Sequence, residues 1–240
     1  MSEARRSPAT GLLMVLAAVS AGVGSTILGG AFDWPASLDL PAAEALPAFA
    51  EHETAIRIGF YLNLLSSLAL VPVAYGLAAR AGWTGAPGRT LTAFGVGGAF
   101  MQVLGWVRWP LVVPGLADRY LAAEPGSPER AAVGAGYDLI NAYAGGAVGE
   151  HLGWVLQGIW AVGTGILLVR SRLLPVWLSA LGAGLAVLWL PLTAASGFGS
   201  HAGVLGTVAG GVYTLWFLWL AAAGGVLAVR RSPAPATEVR

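Results

Sequence analysis

The chain has 240 residues, 56% apolar and only 10% charged, with a mean hydropathy of +0.71. Soluble domains carry about a quarter charged residues, so these values exclude a water-exposed enzyme and a disordered linker. A net charge of +1 argues against a nucleic-acid partner, because phosphate neutralisation needs a basic face. The absence of cysteine excludes disulfides, iron–sulfur clusters, thiolate zinc sites, covalent haem and cysteine nucleophiles.

A helix crosses ~30 Å of hydrocarbon with about 20 apolar residues. Stretches of that kind predict six spans, over 8–32, 55–79, 90–113, 147–169, 173–193 and 203–229. The fold class is therefore an all-α membrane protein, a six-transmembrane-helix bundle forming a single domain over 1–240. The first span follows Arg5 and Arg6 as a signal peptide would, but its apolar run exceeds the about 7–15 residues of a signal core. Cleavage near Val19-Ser20-Ala21 would also leave an odd number of spans.

With the N-terminus inside, cytoplasmic segments hold Arg5, Arg6, Arg80, Arg89, Arg170, Arg172, Arg230, Arg231 and Arg240, leaving Arg57, Arg108, Arg119 and Arg130 for the outer half. Of the acids only Glu3 and Glu238 fall inside. This asymmetry predicts cytoplasmic N- and C-termini in a bacterial plasma membrane.

The two outer loops are expected to carry amphipathic helices. Asp39 followed by Pro41 marks a helix start, with Leu46 and Phe49 available to lie against the membrane. Ser127-Pro128-Glu129 supplies an N-cap, an N1 proline and a first-turn acid. Val133, Tyr137, Ile140 and Ala144 then form one apolar face, and Gly145-Gly146 is expected to break or kink the helix before the fourth span. No internal repeat is visible, which weighs against the commonest transporter architectures.

The chain has 35 glycines and ten tryptophans. Glycines inside spans, such as Gly22, Gly24, Gly206 and Gly210, let helices approach closely in lipid. Trp34, Trp83 and Trp177 lie near span ends and fit an interfacial belt. Trp216, Phe217 and Trp219, with Tyr213 one turn earlier, are either lipid-facing bulk or the wall of an aromatic pocket.

Ionisable side chains at membrane depth are costly and are functional candidates. Arg57 begins the second span, Arg108 lies near the end of the third, and Glu150 with His151 opens the fourth. Alternating helix directions bring all four to one level near the outer surface. Below them run three stripes at helical spacing: Gly59, Asn63 and Ser66; Gln102, Trp106 and Trp109; Glu150, Trp154 and Gln157. Uncompensated amides are unfavourable in lipid, so these stripes should face inward. Interhelical glue, with the arginines snorkelling to the surface, is the plainer account of the same residues. His52, His151 and His201 fall on the outer side, but no two have the spacing of a helical ligand pair, so no metal and no cofactor is assigned.

Arg57-Ile58-Gly59-Phe60, Arg108-Trp109-Pro110-Leu111, Asn141, Gly149-Glu150-His151-Leu152-Gly153 and Ser171-Arg172-Leu173-Leu174-Pro175 with Trp177-Leu178 form an ordered series. It resembles a bacterial membrane-protein family, widespread in actinobacteria, catalogued only as a domain of unknown function. The likeness runs over roughly 10–195 and is most specific at Gly149–Gly153. The resemblance implies a multi-pass plasma-membrane protein, gives no activity, and marks Arg57, Arg108, Asn141, Glu150 and His151 as motif positions.

The leading functional expectation is an enzyme acting on a lipophilic, isoprenoid- or lipid-like substrate by acid–base chemistry, such as protonation-initiated terpenoid cyclisation. Glu150 is the candidate acid, with His151, Arg108, Asp138 and Asn141 assisting. Arg57, Asn63, Gln102, Trp106, Trp109, Trp154 and Gln157 are the candidate substrate contacts. The alternatives are a small transporter or lipid-handling protein, and an accessory subunit needing only the glycine-rich packing faces. Membrane lipids and a lipophilic ligand are the expected partners, and the sequence assigns no oligomeric state.

Overall fold

The computed structural model describes residues 8–83, 85–196 and 203–229. Six helices in it are long and apolar enough to cross a membrane: Ala9–Phe32, Glu53–Ala81, Ala86–Ala122, Pro128–Ser171, Val176–Ala194 and Val204–Val229. In finer detail the chain forms α1 (Ala9–Phe32), a 3-10 turn (Ala36–Asp39), α2 (Ala42–Glu51), α3 (Glu53–Ala81), α4 (Ala86–Trp106), α5 (Arg108–Leu111), α6 (Val113–Ala122), α7 (Pro128–Ile140), a π-helical stretch (Asn141–Leu152), α8 (Gly153–Ser171), α9 (Val176–Ser196) and α10 (Val204–Val229).

The long helices form a closed ring in which each packs on its neighbours in sequence and α1 packs on α10. The central core contains Met14, Leu70, Leu77, Trp160, Trp216 and Leu220. A second core sits at one end, where α2, α5, α6 and α7 form a cap over the bundle and bury Leu46, Phe49, Trp109, Val113 and Tyr137.

Helix ends follow the local chemistry. Ser127 Oγ accepts the Arg130 N–H at 3.2 Å and Pro128 fills the first turn, so α7 begins where the sequence predicts. Gly82, at φ 74°, closes α3 in the left-handed region. Pro41 offers no side-chain cap to α2; instead Asp138 Oδ1 accepts the Ala42 N–H at 3.0 Å across the cap. Leu46 and Phe49 do not lie against the membrane. Both are fully buried, because α6 and α7 cover the face that the loop alone would leave open.

Gly145-Gly146 neither breaks nor ends the helix. The backbone continues from Pro128 to Ser171, wound as a π-helix through 141–152. Single-turn π-bulges are the usual form; here the wide winding runs for 12 residues. Small residues explain what it accommodates. A Cβ on Gly149 would meet Gly105 Cα at 2.6 Å, and one on Gly145 would collide with the Arg108 guanidinium. The glycines let α4 and an arginine side chain reach the axis of this helix. The pattern of charges and glycines leaves this winding invisible in the sequence.

Candidate functional site

The sequence residues at membrane depth separate into three groups. The first is a buried charged network beneath the cap. Arg108, 3% exposed, donates from Nη1 to the Gly105 carbonyl and from Nη2 to Asn141 Oδ1 at 3.0 Å. Its Nη2 stands 3.8 Å from Glu150 Oε1. Asn141 passes the connection on, donating from Nδ2 to the Leu38 carbonyl at 2.9 Å. The network thus joins α5, the π-helix and the 3-10 turn between α1 and α2. The Arg108 guanidinium also lies 5.3 Å from the Trp109 ring centre.

A cleft of about 310 Å³ borders this network, lined by Leu38, Asp39, Pro41, Asp138, Asn141 and Glu150 among others. Glu150, Asp138 and Asn141 therefore come together as the sequence suggests. Arg57 does not join them. Its side chain is 46% exposed and pairs with Glu53, one turn away, at 2.8 Å. The four-fold convergence expected from span direction fails because depth fixes only one coordinate, and the second helix turns Arg57 outward. His151 is half-buried beside Glu150, His52 is exposed, and His201 lies outside the described residues. No group of three metal-ligating side chains occurs among the described residues.

The second group is a polar chain in mid-bundle. Trp106 Nε1 donates to Ser67 Oγ at 3.2 Å, Ser67 Oγ donates to Gln102 Oε1 at 3.0 Å, and Gln102 Nε2 donates to Gln157 Oε1. This stitches α3, α4 and α8 together, and the inward orientation of Gln102 and Gln157 agrees with the stripes. Ser67 is the member that sequence spacing missed. It stands i+4 from Asn63, but Ser66 took its place in the stripe; Ser66 Oγ bonds the Ala17 carbonyl of α1 instead, at 2.8 Å. Asn63 is buried against α1, near Gly24.

Trp106 and Trp109 line no cavity among those described. Trp109 is 0% exposed and stacks on Phe60 at 4.6 Å and on Phe49 at 6.2 Å, with Phe32 edge-on at 5.0 Å. Trp106 packs at 5.9 Å from the same Phe60. The indoles that sequence spacing sets in a stripe below the acid are the packing centre of the cap core.

The third group is an aromatic pocket. Trp154, expected to extend the Glu150 face, packs on Tyr213 of α10 at 5.9 Å. With Trp189 of α9, Trp34, Ser25 of α1 and Thr214 it helps line a pocket of about 360 Å³. Tyr213 is 5.3 Å from Trp189 and 4.7 Å from Phe217. Trp216, Phe217 and Trp219 are buried behind it rather than turned to lipid. Trp219 Nε1 donates to the Leu178 carbonyl at 2.7 Å. Trp34 and Trp189 belong to this site and were not singled out for it, one having been read as a belt residue. The segment 34–41 separates the two clefts: Trp34, Pro35 and Ala36 face the aromatic one, Leu38 to Pro41 the polar one.

Both α1 and α10 line this pocket, through Ser25 and through Gly206, Ala209 and Tyr213. A Cβ on Gly11 would meet the Ala228 nitrogen and the Gly224 oxygen at 2.5 Å, so the helices touch backbone to backbone there. Toward the cap a Cβ on Gly22, Gly210 or Gly211 would meet nothing within 4 Å.

Six long apolar helices, a ring closed between the first and the last, and a helical cap define a multi-pass α-helical membrane protein. Within that class, residues 9–224 match the family described as "Domain of unknown function (DUF4386)", and the chain belongs to it. Comparison with curated proteins and with solved structures gives no match.

Proposed function

We propose that this protein binds a lipophilic small molecule in the aromatic pocket between α1, α8, α9 and α10, and acts as a lipid-handling protein of the bacterial plasma membrane. One observation carries the reading: at membrane depth the described residues enclose about 360 Å³ behind the rings of Trp34, Trp154, Trp189 and Tyr213. That volume is in the ordinary range for a small-molecule site, about 300–1,000 Å³, and aromatic faces suit apolar and flat ligands. The arginine asymmetry along the sequence supports a capped end that faces outward and cytoplasmic termini.

The test is to extract small molecules from the purified protein and from Gly210→Phe. Gly210 lines the pocket and has open space beside it, so the added ring occupies the cavity without displacing a neighbour. An apolar compound recovered from the natural protein and lost from the variant is the expected result. Equal recovery from both would rule the pocket out as its site.

A second reading, acid–base catalysis, rests on Glu150, which is 6% exposed and lines the polar cleft with Asp138 and Asn141. Cation-forming cyclisation of a terpenoid asks for indole faces around the acid. Trp106 and Trp109 are packed on Phe60 instead, and Trp154 lines the other cleft. The cyclase form of this reading has therefore lost the observation that motivated it. Turnover of any lipid substrate that disappears in Glu150→Gln, with the fold intact, would restore the enzyme.

A further inference from the structure

Resting on the ligand-binding reading above, we infer that the ligand of the aromatic pocket is a neutral lipophile carrying a hydrogen-bond acceptor, a carbonyl-type oxygen on a flat or unsaturated frame. The first ground is charge. Among the described residues no ionisable carboxylate, guanidinium or imidazole lines this pocket, and the buried pair Arg108–Glu150 belongs to the other cleft, across the 34–41 segment. An ionised head group would enter without a partner, at a large desolvation cost. The pocket therefore disfavours fatty-acid carboxylates and phosphate esters.

The second ground is the balance of donors and acceptors. Thr207 and Thr214 spend their hydroxyl protons on their own helix, at the Gly203 and Gly210 carbonyls, 3.1 and 2.9 Å away. Tyr213 and Ser25 make no hydrogen bond among the described residues, so each keeps a hydroxyl proton to give. Donors left without acceptors in an apolar setting are unfavourable. A wall that offers the Tyr213 and Ser25 hydroxyls and, among the described residues, no charge is matched by a neutral molecule that brings an oxygen. Tyr213 is the best placed of them, since its ring sits between Trp154, Trp189 and Phe217 and its rotation is held by all three.

Binding to the full chain in lipid nanodiscs, read by native mass spectrometry, tests this with three probes: decylubiquinone, decylbenzene and palmitate. The first two share a six-membered ring and a ten-carbon tail; decylubiquinone adds two carbonyls, two methoxy groups and a methyl, so Tyr213→Phe is what isolates the hydrogen bond. Decylubiquinone should bind about tenfold tighter than decylbenzene, the worth of about one hydrogen bond in a dry site. Tyr213→Phe, which keeps the ring, should lower it to the decylbenzene level and leave decylbenzene unchanged. Equal affinity for the two, or no effect of Tyr213→Phe, overturns the acceptor and leaves the lipophile pocket standing. Palmitate binding tightest overturns neutrality. Binding of none of them in the natural protein, or binding of all three untouched by Gly210→Phe, overturns the pocket itself.

Discussion

At the end away from the cap, α1 and α10 meet at Gly11, Gly224 and Ala228 with no room for a methyl group; at the capped end the same two helices both line a pocket. The first contact belongs to a pattern in which glycines seat a neighbouring side chain or backbone: Gly165 against Ala183, Gly163 against Leu91, Gly182 against Trp219. In lipid, where apolar surfaces gain little by leaving the solvent, such close approach is what holds helices together. The capped end is held differently, by a buried charge network, an aromatic stack and cross-cap hydrogen bonds such as Ala42 to Asp138. Backbone contact joins α1 to α10 at the closed end, and directional bonds add to the glycine contacts, such as Gly105 on Gly149, at the capped one.

That contrast predicts the largest loss of stability at the charge network. Arg108→Ala leaves Glu150 buried without its cation and strips Asn141 of one partner, and should cost about 3–5 kcal/mol in thermal unfolding in detergent. Arg108→Leu combined with Glu150→Leu should recover much of that, because no charge is then left uncompensated. A double variant as unstable as the single would place the loss in the geometry of the cap, not in the charges. Next comes the closed end: Gly11→Val forces Cβ into the α10 backbone and should cost about 1–3 kcal/mol while leaving ligand stoichiometry unchanged. A destabilisation there accompanied by loss of ligand would mean that the two ends are not independent. Smallest is Arg57→Ala, which removes an exposed i,i+4 pair worth about 0.3–0.5 kcal/mol, so its melting temperature should be nearly that of the natural protein. A large fall would restore Arg57 to the network that the sequence assigned it.

The sequence makes the six spans legible because length and hydropathy are set by the bilayer and not by neighbours. Cap helices are legible at their starts, where Ser127 and Pro128 act locally. Inside the bundle the signal weakens. In lipid both faces of a helix are apolar, so spacing alone cannot tell a tryptophan that packs, such as Trp109, from one that lines a cavity, such as Trp154. The polar stripes read better, since an amide has only one acceptable direction: Gln102 and Gln157 turn inward and meet. Span direction is enough to suggest that Arg108 and Glu150 meet, but it says nothing of azimuth, and Arg57 turns to Glu53 on its own helix. The π-winding has no sequence signature beyond its glycines, and those read equally as a break.

The most direct test is to photolabel the protein in membranes with a neutral diazirine-bearing long-chain ketone and to map the adducts by tandem mass spectrometry. The account predicts adducts on Trp154, Trp189 and Tyr213, suppressed by excess unlabelled decylubiquinone and lost in Gly210→Phe. Adducts scattered over outward-facing residues such as Leu16, Leu188 and Leu218, unaffected by competitor, would contradict it.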